Sequence, residues 1–206
     1  MSAAAPVAMQ RMLPPEEAAR ADFYALLAAL FNAAPDATLL RNLAQAAPME
    51  GDGPLARAWQ GLVDASNAMD ADAAALEYED LFAGVGKAAV SLFAGYYSGA
   101  PSRDHPRIRI QAALADLGLA RDARATEPED HLAGLFEVMR VLVAGAPGRQ
   151  PEALATQRRF FTDHVEKGAA GMFAALARAP EANYYRQVAA VGAAFTELES
   201  QSFQLV

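Results

Sequence analysis

The sequence predicts a single all-α domain, a helical bundle of roughly eight or more helices. Apolar residues recur at helical spacing through most of the chain. In contrast, no segment alternates apolar and polar residues over the length of a strand. Prolines and glycines separate the periodic segments, as is typical of the ends of helices. The chain of 206 residues is therefore long enough to bury a core without disulfides or structural metals.

The first 13 residues lack periodicity and are predicted to form a disordered tail, whereas residues 14–206 form one helical domain. Pro14 and the acids after it favour the first turn of a helix that Pro35 ends. Asp36 is then a good N-cap for a short second helix. The residues of these two helices that are predicted to be buried are Phe23, Leu26, Leu27, Leu30, Phe31, Leu39, Leu40 and Leu43.

A third helix carries Leu55, Trp59, Leu62 and Val63, and a fourth begins near Asp70 and runs into a glycine loop. The apolar stripe of the fourth helix is Ala74, Tyr78, Leu81, Phe82 and Val85. Residues 84–105 are predicted to be a long loop or a few short turns around the aromatic residues Phe93, Tyr96 and Tyr97. Loops of this length are uncommon in compact domains and are often functional.

The next helix begins at Pro106 and has Gly118 as its C-cap. Thr126 and Glu129 are expected to form a capping box for the helix that follows and ends near Gly145. The residues of these two helices that are predicted to face inward are Ile108, Ala112, Leu114, Leu117, Leu132, Leu135, Phe136, Met139 and Leu142.

A helix from Pro151 is expected to break or bend at Gly168 and Gly171, and the last helix begins near Glu181. The predicted buried residues here are Leu154, Phe160, Phe161, Val165, Phe173, Leu176, Tyr184, Val188, Val191, Phe195 and Leu198.

Composition narrows the possible functions. The formal net charge is −8, which disfavours binding to a nucleic-acid backbone and favours a basic peptide. The chain has no cysteine, so disulfides, thiolate metal sites and cysteine nucleophiles are excluded. The N-terminus does not resemble a secretory signal, and no apolar run approaches the ~20 residues of a membrane span. We therefore expect a soluble, cytoplasmic protein.

Two acidic stretches are candidates for a site. Glu77 and Asp80 lie near the C-terminal end of the fourth helix, where the helix dipole already presents negative potential. Because carboxylates do not favour such a helix end, a cationic partner is a simple explanation, and a solvated acidic face is the alternative. The second stretch contains Glu127, Asp130 and His131.

Adjacent residues of a helix point about 100° apart, so Asp130 and His131 are not expected to form an acid–base pair. No histidine has a His or Cys three or four positions away, which argues against a metal site. The remaining alternatives are a helical enzyme that uses the Asp130–His131 cluster, or a nucleotide-binding protein that uses this cluster or Gly84 and Gly86.

The two stretches contain the motifs E-Y-x-x-L-F-x-G-x-G at residues 77–86 and E-P-x-D-H-L at residues 127–132. Together they resemble the TorD/DmsD/NarJ family of redox-enzyme maturation chaperones, closest to its TorD- and DmsD-like members. The similarity extends over nearly the whole chain from residue 14. The sequence departs from the family pattern at Gly168, where tryptophan is frequent, and at Gly95, where serine is frequent.

The resemblance implies a cytoplasmic, all-helical chaperone without catalytic residues. It would bind the twin-arginine signal peptide of a molybdopterin-containing oxidoreductase subunit and assist cofactor insertion before export. The implied partners are this peptide, the catalytic subunit and the export machinery. We expect a monomer or a domain-swapped dimer that has no cofactor, with weak GTP binding as an open alternative. The predicted peptide-binding residues are Glu77, Tyr78, Asp80, Leu81, Phe82, Gly84, Gly86, Tyr96, Glu127, Pro128, Asp130 and His131.

Overall fold

A computed structural model describes residues 13–83, 88–99, 106–120 and 127–205. Within these ranges the chain forms ten α-helical segments and no β-strand, which confirms the all-α prediction. The helices are α1 (Pro15–Asn32), α2 (Ala37–Ala44), α3 (Pro54–Ala68), α4 (Ala71–Tyr78), α5 (Ala94–Tyr97), α6 (Pro106–Asp116), α7 (Leu132–Ala144), α8 (Leu154–Phe160), α9 (Glu166–Arg178) and α10 (Tyr184–Gln204). The predicted N-terminal tail lies, apart from residue 13, outside the described residues.

The core lies between α1 and α7, with α10 packed against both α3 and α9. At its centre is Phe31, whose ring centroid is 6.0 Å from that of Phe173 in α9 and 6.0 Å from that of Tyr185 in α10. A third contact joins Phe31 to Phe136 of α7 at 6.3 Å. Aromatic side chains bury large apolar areas, so these contacts hold four helices around one point.

Several predicted helix ends are confirmed. The Asp36 carboxylate accepts hydrogen bonds from the backbone N–H groups of Thr38 and Leu39 at 2.9 and 2.8 Å, as an N-cap does. Gly118 and Gly145 follow α6 and α7 with φ angles of +64° and +77°. Glycine adopts this left-handed conformation without a steric penalty, which is why it ends helices.

The predicted inward face of α6 is wrong at Ile108 and Ala112 but right at Leu114 and Leu117, which pack partly buried against the core. Ile108 is 64% exposed and Ala112 is also exposed, whereas Ile110 is buried. The buried stripe continues from Ile110 through partly buried residues at Ala113, Leu114 and Leu117, which keeps the 3.6-residue period. The prediction had the right period but began it at the wrong residue.

Leu198 is also misplaced in the prediction, because it is 45% exposed while the neighbouring Glu199 is only 3% exposed. The Glu199 carboxylate is bound by the Arg20 guanidinium through two hydrogen bonds of 2.7 and 2.8 Å. It also accepts the Tyr24 hydroxyl at 2.8 Å. Since a buried charge is tolerated when it is paired and hydrogen-bonded, the glutamate and not the leucine faces α1.

Two predicted helices contain irregularities. A π-helical turn, Glu79–Ala83, follows α4, so the 3.6-residue period assumed for this stretch is not kept. A second π-helical turn, Phe161–Val165, joins α8 to α9 into one continuous helix. The sequence predicts that Gly168 and Gly171 break or bend this helix; they lie inside α9, so the break is wrong. π-helical turns within α-helices occur frequently at functional sites.

The predicted capping box before α7 is also wrong. Helix α7 begins at Leu132, which places Glu129 before the helix and not in its first turn. Glu129 instead forms an ion pair with Arg107 of α6, with 2.6 Å between Oε2 and Nε. Hydrogen bonds from Gln111 and Arg107 lower the pKa of Glu129 to about 2. Thr126 lies outside the described residues.

Candidate functional site

A cleft of about 600 Å³ lies between the π-helical turn after α4, the segment 88–97 and the residues that precede α7. We call it the aromatic cleft. It is lined by Asn32, Tyr78, Phe82, Ala83, Ala88, Ala89, Val90, Ser91, Leu92, Phe93, Tyr96, Tyr97, Glu127, His131 and Ala175. Residues of both sequence motifs thus meet at one cavity, although about fifty positions separate them in the chain.

The first motif supplies one aromatic wall. Tyr78 and Phe82 line the cleft in contact with each other, with ring centroids 4.9 Å apart. The Tyr78 hydroxyl donates a 3.2 Å hydrogen bond to the carbonyl of Phe31. The ring centroids of Phe82 and Tyr185 are 5.1 Å apart. These contacts attach the wall to the core, so both rings are held in place before any partner binds.

The acid that opens the first motif has a structural position. Glu77 is 9% exposed, and its Oε1 atom accepts the backbone N–H groups of Asn183 and Tyr185, both at 2.8 Å. Its Oε2 atom accepts the N–H of Tyr184 at 3.0 Å. The carboxylate therefore caps the N-terminus of α10, where helix N–H groups lack partners within the helix. Glu77 does not line the aromatic cleft.

The other predicted residues of the first motif are distributed differently. Leu81 is fully buried in the core, and its carbonyl accepts the N–H of Val90 at 3.0 Å. Asp80 is exposed and does not line the cleft. Gly84 and Gly86 lie outside the described residues.

Segment 88–97 is attached to the second motif by an isolated β-bridge between Phe93 and His131. The N–H of Ala94 donates to the carbonyl of Asp130 at 2.8 Å, and the N–H of Leu132 donates to the carbonyl of Leu92 at 2.8 Å. This pairing places the two stretches side by side and forms the second wall of the cleft.

Glu127 and His131 are the residues of the second motif that line the cleft. Glu127 is exposed, whereas His131 is 6% exposed, with its ring 5.4 Å from that of Phe93. Burial lowers the pKa of His131 below its ordinary value, while the charges of Glu127 and Asp130 act in the opposite direction. His131 is therefore neutral at pH 7, so among the described residues of this wall that line the cleft it is Glu127 that carries a charge.

The two motifs also interact electrostatically across the cleft. Burial raises the pKa of the Tyr78 hydroxyl, and the negative charge of Glu127 raises it further. Tyr78, Phe82 and Glu127 all line the cleft, so one ligand in it can contact both motifs.

Asp130 and Pro128 lie beside the cleft without lining it. Asp130 is 7% exposed, and its Oδ2 atom lies against Gly95, where a Cβ atom would be 2.9 Å away. The carbonyl of Pro128 accepts the N–H of His131 at 3.1 Å. Both residues shape the turn that presents Glu127 and His131.

The residues predicted from the sequence do not include two aromatic residues of the cleft. Phe93 and Tyr97 line the cleft together with the predicted Tyr96. Tyr96 is 64% exposed, and the Tyr97 hydroxyl donates to the carbonyl of Ser91 at 2.9 Å. Their aromatic cluster in a long loop was the available signal, but a loop pattern does not indicate which ring faces a cavity.

The described residues contain no cluster of three or more His, Cys, Asp or Glu residues that could hold a metal ion. Within the same parts of the chain, none of the helices has both the length and the apolar composition that a membrane span requires.

The fold is therefore that of an all-helical protein in which two acidic and aromatic motifs share one cleft. Residues 49–173 match the model of the nitrate reductase delta subunit family, and this range includes both motifs and more than half of the chain. The chain belongs to that family, which includes the NarJ, TorD and DmsD chaperones. No curated protein matches the chain significantly.

Family membership determines the class of function. The chain is a redox-enzyme maturation chaperone for a molybdoenzyme subunit. Because members of this family are not catalytic, the alternative of a helical enzyme built on Asp130 and His131 is set aside.

Proposed function

We propose that the aromatic cleft binds the twin-arginine signal peptide of the client subunit and holds that subunit until its cofactor is inserted. The observation that carries the proposal is the shared cleft, in which the aromatic wall of Tyr78 and Phe82 faces the carboxylate of Glu127. Cofactor insertion that precedes export also places the chaperone in the cytoplasm.

The charged part of such a peptide fits Glu127. A guanidinium group forms forked, charge-assisted hydrogen bonds with a carboxylate and stacks on aromatic faces. Glu127 offers the carboxylate, and the exposed ring of Tyr96 offers such a face at the same cleft. The net charge of −8 further attracts a basic peptide toward the protein.

The apolar part of a signal peptide fits the aromatic wall. Amphipathic or apolar segments bind in grooves whose side chains are already positioned. Tyr78 and Phe82 meet this condition because the core fixes both rings, and Phe93 extends the apolar surface along the opposite wall. Binding therefore orders few side chains of the chaperone, which limits the entropic cost.

The proposed site consists of Tyr78, Phe82, Phe93, Tyr96, Glu127 and His131. Leu81, Pro128 and Asp130 shape the site without lining it. Glu77 contributes by capping the N-terminus of α10. We assign no peptide contact to Asp80, because it lies outside the cleft. The predicted contact with the export machinery, the monomer or domain-swapped dimer and weak GTP binding stay predictions.

Isothermal titration calorimetry with a twin-arginine peptide tests the proposal. We expect saturable binding that Glu127→Gln weakens about tenfold, equivalent to about 1.4 kcal/mol, since it removes the charge of one arginine contact. Asp80→Asn removes the same charge from an exposed residue outside the cleft and is the matched control, with an expected change below about twofold.

A peptide in which both arginines are replaced by lysine should bind more weakly, because an ammonium group cannot form the forked pair. Equal loss from Glu127→Gln and Asp80→Asn would contradict the proposal, since it would indicate only general attraction between opposite charges. No binding by any twin-arginine peptide would also contradict it.

A further inference from the structure

Helix α5 is seated directly on α9 at two glycines. A Cβ atom at Gly168 would lie 2.6 Å from Cβ and 2.9 Å from Cα of Ala94. A Cβ atom at Gly171 would lie between 2.5 and 2.7 Å from the Cβ, Cγ and Cδ1 atoms of Tyr97. Non-bonded carbon atoms do not approach this closely, so a side chain at either of these two positions would displace α5. We call the surface formed by Gly168 and Gly171 the glycine seat.

The glycine seat carries part of the wall of the aromatic cleft. Helix α5 bears Tyr96 and Tyr97, which both line the cleft. Lys167 of α9 stabilises the position of α5, because its Nζ atom donates a hydrogen bond to the carbonyl of Ser98 at 2.6 Å. At the other end of α5, the N–H of Ala94 is bound to Asp130. Helix α9 also lines the cleft through Ala175.

Helix propensity does not account for these two glycines. Glycine in the interior of a helix is less favourable than alanine, because its backbone loses more conformational freedom on folding. Gly134 of α7 provides a comparison, since it is exposed and a Cβ atom there would meet nothing within 4 Å. At Gly168 and Gly171, by contrast, the missing side chain is what allows two helices to touch.

We propose that Gly168 and Gly171 are positioning residues that set how deeply α5 is seated and thereby fix the peptide-binding geometry of the aromatic cleft. A larger residue at either position would move Tyr96 and Tyr97 together, because both belong to α5. Variation at these two positions would therefore change which peptides fit. This inference rests on the proposed function, but the position of α5 can be measured separately.

The test compares Gly168→Ala and Gly171→Ala with Gly134→Ala as the matched control. Calorimetry should show that Gly168→Ala and Gly171→Ala each bind the twin-arginine peptide about tenfold or more weakly. A loss of this size is expected when an interface loses an aromatic anchor. Gly134→Ala should leave the affinity unchanged. Circular dichroism and thermal unfolding identify the variants that remain folded.

A second readout needs no peptide. The chain has no cysteine, so spin labels can be attached at Tyr96→Cys on α5 and Glu79→Cys on the facing π-helical turn. Double electron–electron resonance should show a shifted distribution of the distance between the two labels in Gly168→Ala and in Gly171→Ala, but not in Gly134→Ala. Adding Ala94→Gly to Gly168→Ala removes the nearest contacting atom and should restore part of the original distance.

The outcomes separate this inference from the proposed function. Unchanged distance and affinity in both seat variants would overturn the inference. A shifted distance with no peptide binding by the unmodified protein would support the seat and contradict the proposed function. If Gly168→Ala does not fold, restored folding on addition of Ala94→Gly supports the inference. Failure of that double variant to fold, together with an unchanged distance between the labels in Gly171→Ala, contradicts it.

Discussion

The two motifs contain similar residues but use them in opposite ways. In the first, the carboxylate of Glu77 is turned inward to cap α10, and the aromatic rings of Tyr78 and Phe82 line the cleft. In the second, the carboxylate of Glu127 lines the cleft, while Asp130 is buried beside it. An acid in a motif can therefore hold the fold together or line a cleft, and only its surroundings show which.

The largest expected effect on stability comes from breaking the cap. Glu77→Ala leaves up to three backbone N–H groups without their acceptor, so we expect a loss of about 2–4 kcal/mol in the free energy of unfolding. Urea denaturation measures this loss. Asp36→Ala, which removes an exposed N-cap, should cost only about 1 kcal/mol. A loss at Glu77 no larger than that at Asp36 would contradict the structural role.

Phe82→Ala should affect both stability and binding, because the ring joins the core and also lines the cleft. Phe82 contacts Phe31 at 6.0 Å and Tyr185 at 5.1 Å between ring centroids. We expect a loss of about 2 kcal/mol in stability, less than for a fully buried phenylalanine. Peptide affinity should also fall, by about tenfold. Unfolding and calorimetry on the same variant check both, and unchanged affinity would remove Phe82 from the site.

The sequence predicted those features that depend on local chemistry. The caps at Asp36 and Gly118 and the helix end near Gly145 depend on a few adjacent residues, and all three are confirmed. The apolar stripe of α7 is confirmed too, because its members are all fully buried: Leu132, Leu135, Phe136, Met139 and Leu142. Strong periodicity in a central helix leaves little choice of inward face.

Features that depend on distant partners were not predictable in this way. Glu199 is buried because Arg20, 179 positions away in the chain, pairs with it. Gly168 and Gly171 resemble helix breakers in the sequence, and only the contact with α5 explains them. The cap by Glu77 is similar, since its acceptor role depends on α10, more than a hundred positions away.

Acid pH should destabilise the protein through His131 of the second motif. Burial lowers the pKa of His131 below the ordinary value of 6.5, so the unfolded chain binds a proton at a higher pH than the folded chain does. The contribution of His131 to stability is complete above about pH 6.5 and is lost as the pH falls below it.

The free energy of unfolding measured between pH 7.5 and pH 5 should therefore fall less in His131→Asn than in the unmodified protein. Burial also lowers the pKa of His164, so His164→Asn is the control that separates the two histidines. An identical pH dependence in His131→Asn and the unmodified protein would contradict the burial of His131 as a neutral ring.

The smallest effect is expected at Asp80. This residue is exposed, and Asp80→Asn should change the free energy of unfolding by less than about 0.5 kcal/mol. A larger loss in urea denaturation would mean that Asp80 stabilises the fold, which would contradict the role expected from its exposed position.

The central claim, that Glu127 at the shared cleft binds an arginine of the signal peptide, is tested most directly by a double-mutant cycle. The cycle combines Glu127→Gln with a peptide in which citrulline, a neutral isostere, replaces one arginine at a time. Calorimetry should give a coupling energy of about 1 kcal/mol or more for one of the two arginines. The same cycle with Asp80→Asn should give none. Additive losses at Glu127 with both peptides would contradict the claim.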